Sequence, residues 1–295
     1  MKRDFSERLE SAIIKSKAVK RVAAPLDKWL NRCFQTTALR PFKLFLNGTW
    51  LGHPLHPLLT DGPLGAWTVT ILLDLATLIF GVPGLGLAAG IAAGIGVAAA
   101  LATIAAGFMD WMDVDPPEKA VGMSHAILNT IATVMFAISF LMRFRGHWQL
   151  TLGAFIVSLA GYLLVIAGAY LGGTMVFRMG AMINRNAYRS GPEDFQAALA
   201  VADLPEGQPK RVDIDGQPIL LLRSGEEIHA IGAVCSHYGA PLEEGKQEGD
   251  TIRCPWHSSR FALADGSVRE GPACAPLPAY EVRIVRGQVQ VKRRQ

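Results

Sequence analysis

The sequence predicts an α-helical transmembrane four-helix bundle followed by a small all-β domain at the C-terminus. Half of the 295 residues are apolar and only 18% are charged, which is unusual for an ordinary soluble enzyme. Four apolar stretches are long enough to cross a bilayer, which takes about 20 helical residues. The net charge is segregated, with +7 over residues 1–49, zero over residues 50–192 and −3 over residues 193–295.

The four apolar stretches are predicted to be helices with short connections, and a bundle is their simplest packing. We expect them at about residues 63–80, 84–109, 124–142 and 150–171, with Gly, Pro or Asp at each join. The predicted organisation is a basic cytoplasmic N-terminal arm (1–49), a four-helix transmembrane domain (50–183), a linker (184–208) and the β domain (209–295).

Two features of these helices bear on how they pack. Small residues recur at every fourth position of the second helix, namely Gly86, Gly90, Gly94, Ala98, Ala102 and Ala106. We expect this stripe to be one face that lets a neighbouring helix approach closely. Asp74 lies two thirds of the way along the first helix, where we expect either a buried polar contact with the small-residue helix or a place in a proton path.

The charge distribution predicts the orientation in the membrane. Eleven Lys and Arg residues precede the first helix and the next loop has none, so the positive-inside rule places the N-terminus in the cytoplasm. Four crossings return the C-terminus to that side of the inner (plasma) membrane, although Arg143 and Arg145 then fall outside. Residues 6–22 resemble a basic amphipathic helix on the inner leaflet or a solvated helix. Basic charge confined to an arm does not suit nucleic-acid binding.

From about Pro209 onward the pattern changes to short alternating segments that are typical of strands. Asp215-Gly216 lies between two of them, and this dipeptide is a strong hairpin signal. Turns of the same kind follow at Asp265-Gly266 and Arg286-Gly287. This part of the chain therefore predicts a small all-β domain.

Two close pairs of metal-ligand residues lie inside the β domain. Cys235-Ser-His237 is followed after sixteen residues by Cys254-Pro-Trp-His257. Two thiolates on one iron and two imidazoles on the other are the ligand set of a Rieske [2Fe–2S] centre, one cluster per chain. A zinc site with the same four donors is the alternative, but the single residue between Cys235 and His237 is short for a zinc pair.

The segment from about residue 193 to residue 295 resembles the Rieske ferredoxin family. The resemblance runs through Cys235-Ser-His-Tyr-Gly-Ala-Pro-Leu, Cys254-Pro-Trp-His-Ser-Ser-Arg-Phe, Asp265-Gly266 and Gly271-Pro-Ala. It implies electron transfer like that of ferredoxins and of the Rieske modules of oxygenases. The family's usual glycine after the second histidine is Ser258 here.

The same resemblance implies a particular environment around the cluster. Ala240 and Trp256 stand where high-potential members carry two further cysteines, so that disulfide cannot form. Phe261 replaces a tyrosine that donates to the cluster, whereas Ser259 keeps a serine hydroxyl. Because hydrogen bonds to the sulfurs raise the potential, we expect a value in the lower part of the Rieske range, roughly −150 mV rather than +300 mV.

These residues predict an electron-transfer component more readily than a stand-alone enzyme. An oxygenase needs a second, mononuclear iron held by two His and a carboxylate, and the 38 residues after His257 contain no histidine. The expected partners are the bilayer, a reductase, and an oxygenase or quinone-linked acceptor. The alternatives are a redox sensor or anchor that uses the cluster without turnover, and a zinc-bound structural module.

Histidines also gather near one end of the predicted membrane helices. His53 and His56 precede the first helix, His125 opens the third, and Asp110 and Asn129 belong to the same end. This group could bind a b-type haem, a quinone headgroup or a metal ion, or be interfacial polar residues that pair with one another. Residues from about 46 to 182 resemble a largely uncharacterised four-helix membrane family recognised by Gly-His-Pro-Leu-His-Pro and a closing Gly172-Gly173, and this implies no chemistry.

Overall fold

The computed structural model describes residues 5–35, 38–82 and 84–294. It divides into two compact units, the first formed by residues up to 46 together with Leu55–Ala181 and the second by Asn47–Pro54 together with residues 182–295. The predicted fold class is confirmed, because four long apolar helices precede an all-β region built of antiparallel sheets.

The described residues of the first unit form seven helices. They are α1 (Phe5–Lys15), α2 (Lys17–Phe34), α3 (Arg40–Asn47), α4 (Leu55–Phe80), α5 (Leu85–Met112), α6 (Pro116–Arg145) and α7 (Leu152–Phe177). The last four are long and apolar enough to cross a membrane. Trp67 of α4 stacks on Phe136 of α6, with ring centroids 4.4 Å apart, in the centre of the bundle.

Two of the long helices begin eight residues earlier than the sequence predicted. The helix expected from residue 63 begins at Leu55 and contains Pro63. Proline removes one N–H and leaves the carbonyl of residue i−4 without its helical donor; that carbonyl, on Leu59, lies 3.0 Å from the Thr103 hydroxyl of α5. The helix expected from residue 124 begins at Pro116, a position where proline is favoured because its missing N–H is not needed.

The small-residue stripe of α5 is only partly a packing face, which corrects the expectation for it. Gly86, Gly90 and Ala106 are buried, whereas Ala98 and Ala102 are exposed. A step of four residues turns an α-helix by about 40° more than a full turn, so a strict four-residue repeat rotates off the contact face. At the near end of the stripe, a Cβ on Gly90 would lie 2.7 Å from the Trp148 ring.

Asp74 does not pair with the small-residue helix. It forms an ion pair with Arg143 of α6, and both side chains are fully buried. The expectation was wrong about the partner because Arg143 was counted as a loop charge, whereas α6 extends to Arg145.

The basic N-terminal segment is helical and is held to one end of the bundle by three ion pairs. Glu10 of α1 pairs with Arg178 and Asp27 of α2 pairs with Lys119, each at 2.6 Å. The third pair, Lys43 of α3 with Asp113, is buried. Large aromatic side chains of these helices remain exposed: Phe5, Trp29, Phe42 and Phe45. Such amphipathic helices suit an interfacial position.

The second unit contains three antiparallel sheets. Its strands are β1 (Gln196–Ala200), β2 (Lys210–Ile214), β3 (Gln217–Ser224), β4 (Glu227–Gly232), β5 (Lys246–Glu248), β6 (Thr251–Arg253), β7 (Arg260–Ala262), β8 (Val268–Glu270), β9 (Tyr280–Val285) and β10 (Gln288–Arg293). The sheet orders are β1-β10-β9, β2-β3-β4 and β5-β6-β7-β8.

The predicted linker at residues 184–208 is too long. Strand β1 lies within it and pairs with β10, with Gln196 opposite Val291. The segment Gln196–Ala200 is mostly alanine and has no clear alternation, so its strand character depends on pairing with β10, which lies far along the chain. Such a tertiary effect is not visible in a local pattern.

Candidate metal centre

The four predicted ligand residues lie on two loops of the second unit that are built alike. The first loop follows β4 and carries Cys235 and His237, and the second connects β6 to β7 and carries Cys254 and His257. In each loop the cysteine N–H donates to the carbonyl five residues on, at 2.9 Å for Ala240 and 2.8 Å for Ser259. The N–H of the residue four positions after each cysteine, Gly239 or Ser258, donates back to the carbonyl of that cysteine. The two cysteines therefore sit at equivalent positions.

The matching loop geometry explains two unusual backbone conformations. The residue four positions after each cysteine is left-handed, with φ 82° at Gly239 and φ 63° at Ser258. Glycine adopts this conformation without strain, but a residue with a Cβ does not. The Ser258 hydroxyl accepts a hydrogen bond of 2.9 Å from Arg253. Serine is thus accommodated where the resemblance implies glycine.

Both cysteine thiols are buried in the core of the unit. Cys235 is 1% exposed and Cys254 is 2% exposed, among Leu242, Ile252 and Phe261. The Cys235 thiol donates a hydrogen bond to the Cys254 sulfur, which, together with burial, raises the pKa of Cys235. The same bond lowers the pKa of Cys254 to about 7. The two sulfurs are therefore close together and neither is part of a disulfide.

The two imidazoles face each other through the same kind of nitrogen. The Nδ1 atoms of His237 and His257 are 3.3 Å apart, and the ring planes are perpendicular with centroids 5.0 Å apart. Two imidazole nitrogens on one tetrahedral metal, at bonds of about 2.0–2.1 Å, are separated by about 3.3 Å. The histidine pair thus has the spacing of two ligands of one metal.

These observations agree with a cluster that has two different ends. Two adjacent sulfurs form one pair and two adjacent ring nitrogens form the other, as the two irons of a Rieske cluster require. The sulfurs are deeply buried and His237 is only 5% exposed, whereas His257 is half-buried and its neighbour Trp256 is 51% exposed. The side chains present therefore fit a [2Fe–2S] cluster whose nearest approach to solvent is at His257.

The predicted environment residues pack around the same loops. Ser259 is fully buried, and its hydroxyl oxygen accepts a 2.9 Å hydrogen bond from the Ala273 N–H, which leaves the hydroxyl proton available for another acceptor. Phe261 is fully buried in the core that contains both cysteines. Ala240, which stands where high-potential members carry a cysteine, is buried beside them.

The sequence did not indicate that residues just after the membrane segment contact the first loop. The Arg185 N–H donates to the Ser236 carbonyl at 3.2 Å, and the Asn186 amide donates to the Val234 carbonyl at 2.8 Å. The Arg185 guanidinium lies over the Tyr238 ring at 5.8 Å from its centroid. These contacts cover the loop from a segment that looked like linker, and no motif pointed to them.

Comparisons with known proteins assign both parts of the chain. A family model described as "Rieske [2Fe-2S] domain" matches residues 194–281. The 3-phenylpropionate/cinnamic acid dioxygenase ferredoxin subunit of Escherichia coli (strain K12) is 40% identical over 93 residues, which are 31% of this chain and 87% of that protein. The chain belongs to the Rieske [2Fe-2S] family. A second model, "Predicted membrane protein (DUF2231)", matches residues 52–185.

Other relatives of the Rieske domain differ in length. Ferredoxin CarAc of Metapseudomonas resinovorans is 33% identical over 93 residues, or 31% of this chain and 87% of that one. Apoptosis-inducing factor 3 of Homo sapiens is 35% identical over 106 residues, or 36% of this chain and 18% of that one. The chain thus spans less than a fifth of the human relative. None of these descriptions names a haem.

The structure brings together only part of the second predicted group. His56 and His125 have ring centroids 6.1 Å apart, and the Asn129 amide lies beside the His125 ring. His53 is exposed and belongs to segment 47–54 of the second unit. Asp110 is buried near the end of α5. Of the five predicted residues, contacts are thus described among three, His56, His125 and Asn129.

Proposed function

We propose that this protein is a membrane-anchored electron carrier whose Rieske cluster accepts one electron and passes it on. The observation that carries the proposal is the arrangement of two buried sulfurs and two facing imidazole nitrogens on two matching loops. Two ferredoxin relatives support it, because the part that matches the Rieske domain of this chain makes up 87% of each of them. When bound, the cluster supplies a reversible one-electron couple.

In this proposal each protein ligand has a distinct task. Cys235 and Cys254 would hold one iron as thiolates in the apolar core, where the metal would compensate their charge. His237 and His257 would hold the other iron, and their facing Nδ1 atoms are the nitrogens available for it. Because His257 is half-buried next to the exposed Trp256, whereas His237 is buried, we propose that the electron leaves to a docked partner at His257.

The proposed partners are redox proteins. Two of the relatives are, by their names, ferredoxins, one of them the subunit of a dioxygenase. We propose a reductase as the electron donor and an oxygenase or a quinone-linked membrane protein as the acceptor. Beside His257, Trp256 offers an apolar, exposed contact, and tryptophan is enriched where proteins dock.

The burial of Arg143 supports a cytoplasmic location of both termini. Basic residues of loops set orientation, and Arg143 had counted against this orientation. Its charge is paired with Asp74 inside the bundle, so Arg145 is the one remaining basic residue at the end where α6 and α7 meet. Nine of the eleven basic residues before residue 49 lie in α1–α3, which are held to the opposite end of the bundle. We propose that this end faces the cytoplasm of the plasma membrane.

Protease accessibility tests the orientation. A tag after residue 295 is expected to survive protease added to intact spheroplasts and to be removed in inverted vesicles. A second tag inserted between α6 and α7, next to Gly146, is the matched control and is expected to behave in the opposite way. Removal of the C-terminal tag in intact spheroplasts would contradict the cytoplasmic location without affecting the cluster assignment.

Repeated reduction and oxidation tests the carrier function. The full chain in lipid nanodiscs is reduced with dithionite and then mixed with oxidised cytochrome c in excess. A carrier is expected to deliver one electron per Rieske cluster in each cycle, with the visible spectrum of the cluster restored. A sensor or anchor that uses the cluster without turnover is expected to transfer slowly or to lose the cluster, which would contradict the proposal.

A further inference from the structure

The bundle holds a second pair of facing imidazoles, on α4 and α6. His56 lies in the first turn of α4, and its Nδ1 is 2.9 Å from the Thr103 carbonyl of α5. His125 lies on α6, and its Nδ1 is 2.8 Å from the Gly168 carbonyl of α7. A carbonyl can only accept, so each Nδ1 carries the proton and each Nε2 carries a lone pair. This is how metal-binding histidines are held in proteins.

The spacing of the two rings suits one metal between them. The centroids are 6.1 Å apart and the planes are nearly perpendicular, at 86°. For two imidazoles bound to one metal through nitrogen, at bonds of about 2.0 Å, the distance between ring centroids depends on the angle at the metal. It is about 6.4 Å when the rings lie on opposite sides of the metal and about 5.2 Å at a tetrahedral angle. The value of 5.0 Å for His237 and His257 matches the tetrahedral case, and 6.1 Å approaches the opposite-side case.

Two glycines seat these rings against the neighbouring helices. A Cβ on Gly107 of α5 would lie 2.8 Å from Cε1 of His56, and a Cβ on Gly172 of α7 would lie 3.2 Å from Cε1 of His125. The first distance is a clash. The described contacts of the pair are backbone carbonyls, glycines and the Asn129 amide, whose nitrogen lies 3.3 Å from Nδ1 and 3.4 Å from Nε2 of His125.

We propose that His56 and His125 are the two axial ligands of a haem iron in the membrane unit. A porphyrin supplies four equatorial nitrogens and leaves two opposite positions, which the two Nε2 atoms would fill. A bare metal ion generally takes three or more protein ligands, which makes the macrocycle the better match to a pair. The site is separate from the Rieske cluster and extends the proposed function by a second redox group.

Visible spectroscopy of the purified full chain tests this proposal. The protein is produced in haem-replete cells, purified in detergent and titrated with haemin. One haem per chain with the absorption of a low-spin iron bound by two imidazoles is expected. His147→Ala, which removes an exposed histidine of the same unit, is the matched control and should leave the spectrum unchanged. A chain that binds no haem after titration would overturn the proposal.

Two further variants keep the test independent of folding. His125→Gly is expected to lose the low-spin spectrum and to regain it with added imidazole, a gain that an unfolded protein cannot give. His125→Met is expected to keep haem but to shift the spectrum, because a thioether replaces one imidazole. The proposal is wrong, and the haem adventitious, if imidazole does not restore the low-spin spectrum of His125→Gly and the spectrum of His125→Met does not shift. It is also wrong if both variants keep the unchanged spectrum.

The same samples separate this proposal from the proposed function. The Rieske signal in electron paramagnetic resonance comes from the second unit and should persist in every His56 and His125 variant. A missing Soret band with an intact Rieske signal would refute the haem site alone. A Soret band without the Rieske signal would refute the electron-carrier proposal alone.

Discussion

Asp74 and Arg143 form a two-pronged ion pair that is fully buried between α4 and α6. Nη1 of Arg143 lies 2.8 Å from Oδ1 of Asp74 and Nη2 lies 2.5 Å from Oδ2. The hydroxyls of Ser139 and Ser158 lie 3.3 and 3.4 Å from the same guanidinium. Because Ser158 belongs to α7, the pair and its hydroxyls join three of the four membrane helices.

Removing one partner of this pair should destabilise the bundle strongly. Asp74→Asn leaves the Arg143 charge buried without compensation, and such changes cost about 3–5 kcal/mol of unfolding free energy. Thermal unfolding of the full chain in detergent, followed by circular dichroism, measures the loss. Arg145→Gln, an exposed position two residues after Arg143 on α6, is the control and should change little.

Replacing both partners should cost much less than replacing one. Asp74→Leu combined with Arg143→Leu removes both charges, and apolar replacements of buried ion pairs are often close to neutral. If the double variant is as unstable as Asp74→Asn, the pair contributes more than charge compensation. If Asp74→Asn unfolds like the Arg145 control, the buried pair is not formed.

Ser258→Gly should stabilise the Rieske domain. Ser258 has a left-handed backbone conformation, which costs a residue with a Cβ about 1 kcal/mol. The hydrogen bond that its hydroxyl accepts from Arg253 offsets part of this cost. We expect a gain of roughly 0.5–1 kcal/mol in unfolding free energy, measured by denaturant titration of the cluster absorbance. Gly239→Ser at the equivalent position of the first loop should have the opposite sign. Equal effects of the two changes would contradict the loop equivalence.

Hydrogen-bond donors near the cluster should set its potential. Ser259→Ala removes a buried hydroxyl and should lower the potential, and Phe261→Tyr adds a hydroxyl and should raise it. One hydrogen bond of about 0.5–1.5 kcal/mol corresponds to roughly 20–65 mV for one electron. Redox titration measures both shifts. Ser224→Ala, whose hydroxyl accepts from Gln247, is the control, and a shift of similar size there would count against the proposed environment.

His257→Ala should abolish the cluster while the protein still enters the membrane. The histidine-bound iron would lose one of its two imidazoles, whereas the four membrane helices lie in the other unit. Iron per chain and membrane fraction are measured on the same preparation. His229→Ala removes a half-buried histidine of β4 and should keep the iron. Full iron retention in His257→Ala would show that this residue is not a ligand.

The parts of the site that the sequence could predict are those fixed by short-range spacing. Cys235 and His237, like Cys254 and His257, are close in the chain, and each pair follows a strand that turns back on itself. Their chemistry identifies them before any fold is known. The left-handed Ser258 could also be anticipated from its place after the second histidine.

The parts that the sequence could not predict depend on partners far along the chain. Pro63 appeared to begin a helix because the Thr103 hydroxyl that serves its freed carbonyl lies 40 residues later. Strand β1 is defined by β10, and Asp74 by Arg143. His53 and His56 are three residues apart in the sequence, but the packing of α4 against α6 places only His56 beside His125. His53 belongs to the other unit.

The most direct measurement is metal analysis combined with electron paramagnetic resonance on the dithionite-reduced full chain. If Cys235, His237, Cys254 and His257 hold a Rieske cluster, the second unit contributes two irons and two acid-labile sulfides per chain. The reduced protein is then expected to give the anisotropic signal of a Rieske centre. A colourless protein that holds one zinc per chain and gives no signal would contradict the account.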